Sequence, residues 1–260
     1  LHYRRIVEDG AIYAQPFSEG ASHSGPIATA PVSTVVQRVE GGWLVNGRKI
    51  FASLAGAANY YGILCGEARP GENATRREAM YLAVPADAPG VEVVGDWDPL
   101  GMRGTVSRTI VFRNVFVEDD AALMGRGLFF QAATRCPHRF LSHTPTYLGL
   151  AQATFDFTVR YLRGEISGAG QERRRESPAK QLAVAEMFVT LQQTKALWFQ
   201  AGTEARVDPT REQVLRALAA QYSVMENASE LAQLALRTCG GRSLLWSLPL
   251  ERYFRSSRWG

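Results

Sequence analysis

Apolar and polar residues alternate in short runs over the first half of the chain, and the period then changes. Val32 to Val39 alternates, Tyr60-Tyr61-Gly62-Ile63-Leu64-Cys65 is continuously apolar like a buried strand, and Met80 to Val84, Val91 to Val94 and Thr109 to Val117 are further strand-like runs. Seven or so strands at short spacing, with no helical stretch between them, predict an antiparallel β-barrel or sandwich over 1–123. Residues 1–9 read as the tail of a preceding element that Glu8-Asp9-Gly10 closes. Beyond about residue 124, apolar positions recur at spacings of three and four over Leu141 to Leu162, Gln181 to Ala205 and Arg211 to Leu236, the mark of amphipathic helices. Ser177-Pro178 predicts the start of the second, Asp208-Pro209 the start of the third and Gly240-Gly241 its end, with a short helix near Leu248 to Arg255. An antiparallel four-helix-type bundle over 124–260 is the economical packing, so the chain reads as α+β with two domains.

One stretch of the β-region carries more than fold information. Gly41-Gly42-Trp43-Leu44-Val45-Asn46-Gly47-Arg48-Lys49-Ile50-Phe51-Ala52-Ser53 sets Asn-Gly between two apolar runs, which predicts a hairpin turning at Asn46-Gly47. Its second arm places Phe51 and Ser53 on one face of a strand, an aromatic plate beside a hydroxyl. That pairing suits a flat heteroaromatic ligand, and it equally suits an aromatic packed in an ordinary hairpin core. Upstream, Ala11 to Phe17 reads as a strand that Pro16 confines to an edge or bulge, followed by a small-residue loop from Ser18 to Pro26. Asp96 to Ser107 is turn-rich and brings Arg103, Thr105 and Ser107 together in sequence.

Composition narrows the classes without choosing among them. In 260 residues, 46% hydrophobic, 29 basic side chains face 25 acidic ones, mixed along the chain, and no basic stripe with interleaved aromatics marks a nucleic-acid surface. The tight run Arg173-Arg174-Arg175 fits a solvated face or a phosphate contact. Cys65, Cys136 and Cys239 are far apart and odd in number, without metal-ligand spacing, which predicts unpaired thiols in a reducing compartment. With no run of 18 apolar residues and no leader pattern, the expectation is a cytoplasmic protein that does not engage membranes. From the start at Leu1 and the abrupt end at Arg258-Trp259-Gly260 the expectation is that part of a longer natural chain is missing.

Four pieces taken together resemble the acyl-CoA dehydrogenase family of flavoproteins, in its middle and C-terminal domains. They are Tyr13 to Ser24; Gly42 to Ser53; Pro99-Leu100-Gly101-Met102-Arg103-Gly104-Thr105 with Val111-Phe112-Arg113-Asn114-Val115; and Cys239-Gly240-Gly241 leading to Leu250-Glu251-Arg252-Tyr253-Phe254-Arg255. The resemblance implies FAD, an oxidoreductase of lipid metabolism acting on the CH–CH group of an acyl-CoA, an electron-transfer partner and a homotetramer or homodimer. It implies that Ser18 meets the flavin pyrimidine, that Gln15 and Phe17 offer backbone to the ring, and that Ser22 or Ser24 lies near the pyrophosphate. Phe51 takes the place of a tryptophan against the isoalloxazine, with Ala52 beside it, and Ser53 that of a threonine near N5. Gly240 and Gly241 match the glycine pair that lets backbone approach the adenine half of a neighbouring subunit's FAD, and one of Arg173 to Arg175 would reach its pyrophosphate.

The departures bear on the chemistry. The family's N-terminal helical domain is absent, and the arginine run lacks the usual Phe-Gly. The usual catalytic glutamate is not in the chain, Arg139 stands at its alternative position, and the catalytic residue is therefore unknown. Arg237 replaces a glutamine, and Ser256 stands where an Arg-Asp pair would put aspartate. Three functions compete: α,β-oxidation of an acyl-CoA thioester with hydride transfer to flavin N5; flavin-dependent monooxygenation, with His138 or His143 as acid or base; and a non-catalytic flavin-binding or assembly role.

Overall fold

The computed structural model describes residues 1–20, 29–67, 74–166 and 174–258. Ser22, Ser24 and Arg173, all singled out above, lie outside the described residues. Two compact units emerge: Leu1–Asp98 with Arg103–Thr134, and Pro99–Met102 with Arg135–Gly260.

The first unit opens with helix α1 (His2–Glu8), whose chain reverses at Gly10 with φ 66°. Its strands are β1 (Tyr13–Ala14), β2 (Val35–Val39), β3 (Gly42–Ala52), β4 (Tyr60–Glu67), β5 (Met80–Pro85), β6 (Val91–Val94), β7 (Arg108–Glu118) and β8 (Ala122–Met124), followed by helix α2 (Leu128–Arg135). Among the described residues these form one sheet in the order β6-β7-β3-β2-β4-β5-β8, with β1 beside β4. The sheet is mixed: β1 and β2 both run parallel to β4, and the other pairings are antiparallel. Val36, Val45, Tyr61, Ile63, Leu82 and Phe112 fill its buried side. The strand expected over Ala11 to Phe17 shrinks to Tyr13–Ala14, because Pro16 has no N–H to give a ladder.

The expected hairpin at Asn46-Gly47 is not there. β2 and β3 turn instead at Glu40-Gly41, with Val39 opposite Gly42 and Gly41 at φ 75°. β3 runs straight through Asn46-Gly47, where its register against β7 slips between Val45 and Gly47. The Asn46 amide donates to Asn114 Oδ1 at 2.9 Å and its Oδ1 accepts the Asn114 N–H at 2.8 Å, so the asparagine ties two strands together across a bulge. The glycine is still required, since it holds φ 150° and a Cβ there would lie 2.6 Å from the Thr34 Cα.

The second unit packs α3 (Thr144–Leu162), α4 (Pro178–Thr203), α5 (Arg211–Cys239) and α6 (Leu250–Ser257), with a 3-10 segment at Pro137–His143 leading into α3. Tyr161, Met187, Leu191, Val224, Leu231 and Leu250 form its core. Ser177 does cap α4 with Pro178 at its first position, although its side chain makes no capping bond. The third helix starts later than Asp208-Pro209 predicted. Thr210 is the cap, its hydroxyl accepting the Gln213 N–H at 3.3 Å while Gln213 Oε1 accepts the Thr210 N–H at 3.0 Å. Asp208 is occupied with Arg135 Nε at 2.9 Å and sits at φ 54°, outside the helix. Thr210→Ala is expected to cost about 1 kcal/mol, read as a lower urea midpoint at unchanged slope. Among the described residues no helix is long and apolar enough to cross a membrane.

Candidate functional site

The last residues of β3 leave regular strand geometry. The register against β7 slips again between Lys49 and Ala52, and Phe51 takes φ 53°, 53% exposed as a residue, with its ring edge-on to Trp97 at 6.0 Å. Ala52 turns inward and is fully buried, so Phe51 and Ser53 both face outward, as a strand would place them, but through a strained bend. Leu54 follows at φ 64°, its N–H donating to the Thr105 carbonyl at 3.1 Å, and Val106 lies at φ 45°. A positive φ at a bulky or β-branched residue is a true outlier that persists only where its surroundings over-determine it. Three such residues, Phe51, Leu54 and Val106, flank one patch. Within it the Ser53, Ser107 and Thr105 hydroxyls are linked, Ser53 Oγ to Ser107 Oγ at 2.8 Å and Ser107 Oγ to Thr105 Oγ1 at 2.7 Å.

The segment from Gln15 to Glu19 lies against the same strand end. The Ser18 carbonyl accepts the Ile50 N–H at 2.8 Å, which puts Ser18 next to Phe51. Gln15 and Ser18 are exposed, Pro16 is buried, and the half-buried Phe17 ring packs on Tyr81 and Phe129 at 6.1 and 5.5 Å. Glu19 anchors the segment from beneath. Its carboxylate takes the Lys49 ammonium at 2.5 Å, the Ser33 N–H at 2.8 Å and the Thr34 N–H at 3.0 Å. Lys49, only 1% exposed, also donates to the Leu64 carbonyl at 2.6 Å. Burial alone would raise the Glu19 carboxyl, but Lys49, Ser33 and Thr34 outweigh it and bring it down to about 2. Burial pulls the Lys49 ammonium down, with the Glu19 carboxylate partly restoring it. The neighbouring Cys65 thiol is pushed up to about 12 by burial, which leaves it inert.

Gln15, Phe17, Ser18, Phe51, Ala52 and Ser53 therefore gather at one edge of the first unit. Gly240 and Gly241 belong to the second unit, where Gly240, at φ 83°, closes α5 with its N–H on the Leu236 carbonyl at 2.9 Å. In the same unit the Arg174 guanidinium donates to the Tyr161 hydroxyl at 2.7 Å and lies over its ring. Arg175 lines a groove of about 520 Å³ whose floor includes Phe155, Leu162, Val184 and Phe188, with Lys180 beside it. Burial lowers the Arg139 guanidinium's pKa, and His138 is buried with neither ring nitrogen hydrogen-bonded among the described residues. Arg255 pairs with Glu251 Oε2 at 2.7 Å, one turn back on α6, while Ser256 Oγ accepts the Met102 N–H at 3.4 Å.

Two features escaped sequence reasoning. The Glu19–Lys49 pair had one signal, a lysine inside an otherwise apolar strand run, but its partner lies 30 residues away. The hydroxyl contact of Ser53 with Ser107 spans 54 residues and leaves no local signature at all.

Comparisons with known proteins bear on this arrangement. Residues 17–115 match the profile described as acyl-CoA dehydrogenase, middle domain, and residues 141–258 that described as acyl-CoA dehydrogenase, C-terminal domain. The acyl-CoA dehydrogenase homologue YdbM of Bacillus subtilis (strain 168) is 26% identical, over 98% of this chain and 65% of its own. L-evernosamine nitrososynthase of a Micromonospora species is 30% identical, over 85% of this chain and 53% of its own. The chain thus spans less than two thirds of the length of these curated relatives. The crystal structure of FMN-bound TdsC, a dibenzothiophene monooxygenase from Paenibacillus sp. A11-2, shares the fold with a TM-score of 0.83 at 23% identity, covering 99% of this chain and 68% of that one.

Proposed function

Because the chain belongs to the acyl-CoA dehydrogenase family, whose members are flavin oxidoreductases, we propose that it holds a flavin against the edge where Gln15–Ser18 meets Phe51–Ser53. The observation that carries this reading is the exposed Phe51 ring, held at φ 53° beside the Ser53 hydroxyl and the Ser18 segment. An exposed aromatic kept in a costly backbone conformation, with hydroxyls converging on it, fits a planar heterocycle with hydrogen-bonding edges. Phe51 would cover one face and exclude water, Ser53 would offer a donor to the N5 edge, and Ser18 with the Gln15 and Phe17 backbone would hold the pyrimidine edge. When bound, the flavin supplies two-electron redox chemistry.

The reaction we assign is α,β-oxidation of an acyl-CoA thioester, with FAD as cofactor and an electron-transfer partner as acceptor, in cytoplasmic lipid metabolism. Arg175 and Lys180, together at the groove of the second unit, suit the phosphates of a dinucleotide. The domain division we adopt is a β-domain over 1–123 and a helical domain over 124–260. A homotetramer or homodimer is supported by the apolar side chains that α4 leaves exposed, Leu182, Phe188, Val189 and Phe199. A second reading, flavin-dependent monooxygenation, is favoured by His138, a buried imidazole whose two nitrogens have no partner among the described residues.

The test starts with FAD, FMN and riboflavin titrations followed by anaerobic addition of acyl-CoA thioesters. Loss of the flavin's visible absorbance supports dehydrogenation; no loss at any chain length, with oxygen uptake once a flavin reductase is present, moves the assignment to the second reading. A colourless protein whose melting temperature no flavin raises overturns both, because a ligand at a hundredfold its Kd adds about 2.7 kcal/mol. Phe51→Ala is expected to weaken flavin binding about tenfold, the loss of a ring contact worth ~1.4 kcal/mol.

A further inference from the structure

We propose that Ser107 is a positioning residue that fixes the proton of the Ser53 hydroxyl toward the flavin edge; this rests on the flavin reading above. Ser107 is 5% exposed and stands between two other hydroxyls, with Ser53 Oγ at 2.8 Å and Thr105 Oγ1 at 2.7 Å. A serine hydroxyl has one proton and two lone pairs, so Ser107 either accepts from both hydroxyl neighbours or, giving its own proton within the trio, donates to one and accepts from the other. When its proton is given within the trio, the chain of hydroxyls has two polarities. In one, Thr105 donates to Ser107 and Ser107 to Ser53, which turns the Ser53 proton outward as a donor; in the other, Ser53 donates inward and presents lone pairs. A ring nitrogen acceptor selects the first, and a linked chain of hydroxyls holds that choice more firmly than an exposed serine alone would.

The backbone is bent to make this contact. Val106, exposed and β-branched, sits at φ 45° between Thr105 and Ser107, and Leu54 donates its N–H to the Thr105 carbonyl at 3.1 Å. The bend sends the side chains on both sides of Val106 to the same neighbour set while Val106 itself points to solvent. The turn that carries these hydroxyls thus gains a role beyond shaping the β-domain, where a purely structural staple would alter stability and leave a bound chromophore unchanged.

The experiment uses flavin-loaded wild type, Ser53→Ala, Ser107→Ala and the double variant, and reads the visible spectrum and midpoint potential of the bound flavin together with melting temperature. Ser107→Ala is expected to shift spectrum and potential in the direction of Ser53→Ala, and the double variant to shift no further than Ser53→Ala alone. A wild-type spectrum and potential in Ser107→Ala, or a shift that adds to that of Ser53→Ala, overturns the proposal while leaving the flavin site intact. Wild type that binds no flavin overturns the site reading and this inference with it, before any variant is compared. Should Ser107→Ala fail to fold, Thr105→Val removes the distal hydroxyl at equal size; a smaller shift of the same sign supports the chain, and none refutes it.

Discussion

Glu19→Gln is expected to destabilise the first unit by about 3 kcal/mol, and Glu19→Gln combined with Lys49→Met to recover most of that loss. The reason is the asymmetry between removing one half of a buried ion pair and removing both. Lys49 Nζ is enclosed, with the Glu19 carboxylate at 2.5 Å and the Leu64 carbonyl at 2.6 Å. Without the carboxylate its ammonium has no counter-charge, and the lysine must lose its proton, a direction in which burial already pushes it. The methionine partner restores an apolar fill. Urea denaturation followed by circular dichroism measures both variants; a single variant within 0.5 kcal/mol of wild type, on the scale of surface substitutions, would show that the pair is not what holds this segment. Acid adds a second signature. The carboxyl of Glu19 stands near 4.5 when unfolded and at about 2 when folded, so its stabilisation is complete above about 4.5 and drains away as pH falls from there toward 2. Glu19→Gln should flatten that part of the stability curve. It should also loosen Ser18, whose carbonyl meets Ile50 one residue before Glu19, and weaken whatever lies against Phe51.

Gly47→Ala is expected to cost about 3 kcal/mol, and Gly56→Ala only about 1. Both glycines have positive φ, 150° and 87°, but they differ in space. A Cβ on Gly56 meets nothing within 4 Å, so that variant reports the backbone penalty alone. On Gly47 it would lie 2.6 Å from the Thr34 Cα and 2.8 Å from Thr34 Oγ1, forcing β3 away from the chain entering β2. Thr34 is itself fully buried, which leaves it no room to retreat. Thermal melts of the two variants side by side decide the matter. Equal losses would mean that Asn46-Gly47 is needed only for its dihedral angles, as in a turn, and that the close approach is unimportant.

That pair of glycines marks the boundary of what the sequence conveys. The fold class was legible because its signals are local: alternation in Val91–Val94 and around Val36, three-and-four spacing in α3 and α5, and Pro178 just inside α4, whose apolar side chains are spread around the helix rather than along one face. The family was legible for a different reason, four motifs in fixed order. The Asn-Gly signal misled because a residue pair tolerant of positive φ serves a bulge as well as a turn, and the choice is made by Asn114 and Thr34, which lie far off in sequence. Asp208 misled likewise: it has the chemistry of a cap, and Arg135 engaged it first.

At the candidate site, sequence by itself determined which residue types are present, an aromatic and a hydroxyl at Phe51 and Ser53 and a serine beside a glutamate at Ser18 and Glu19. Only the tertiary structure decided how they are held: Glu19 buried on Lys49, Ser18 paired with Ile50, Phe51 bent outward at φ 53°, and Ser53 tied to Ser107. Periodicity and turn preference act over a few residues, where neighbouring side chains share one backbone. Charge burial, strained dihedrals and hydroxyl chains are settled by groups tens of residues apart, which meet only when the sheet has formed.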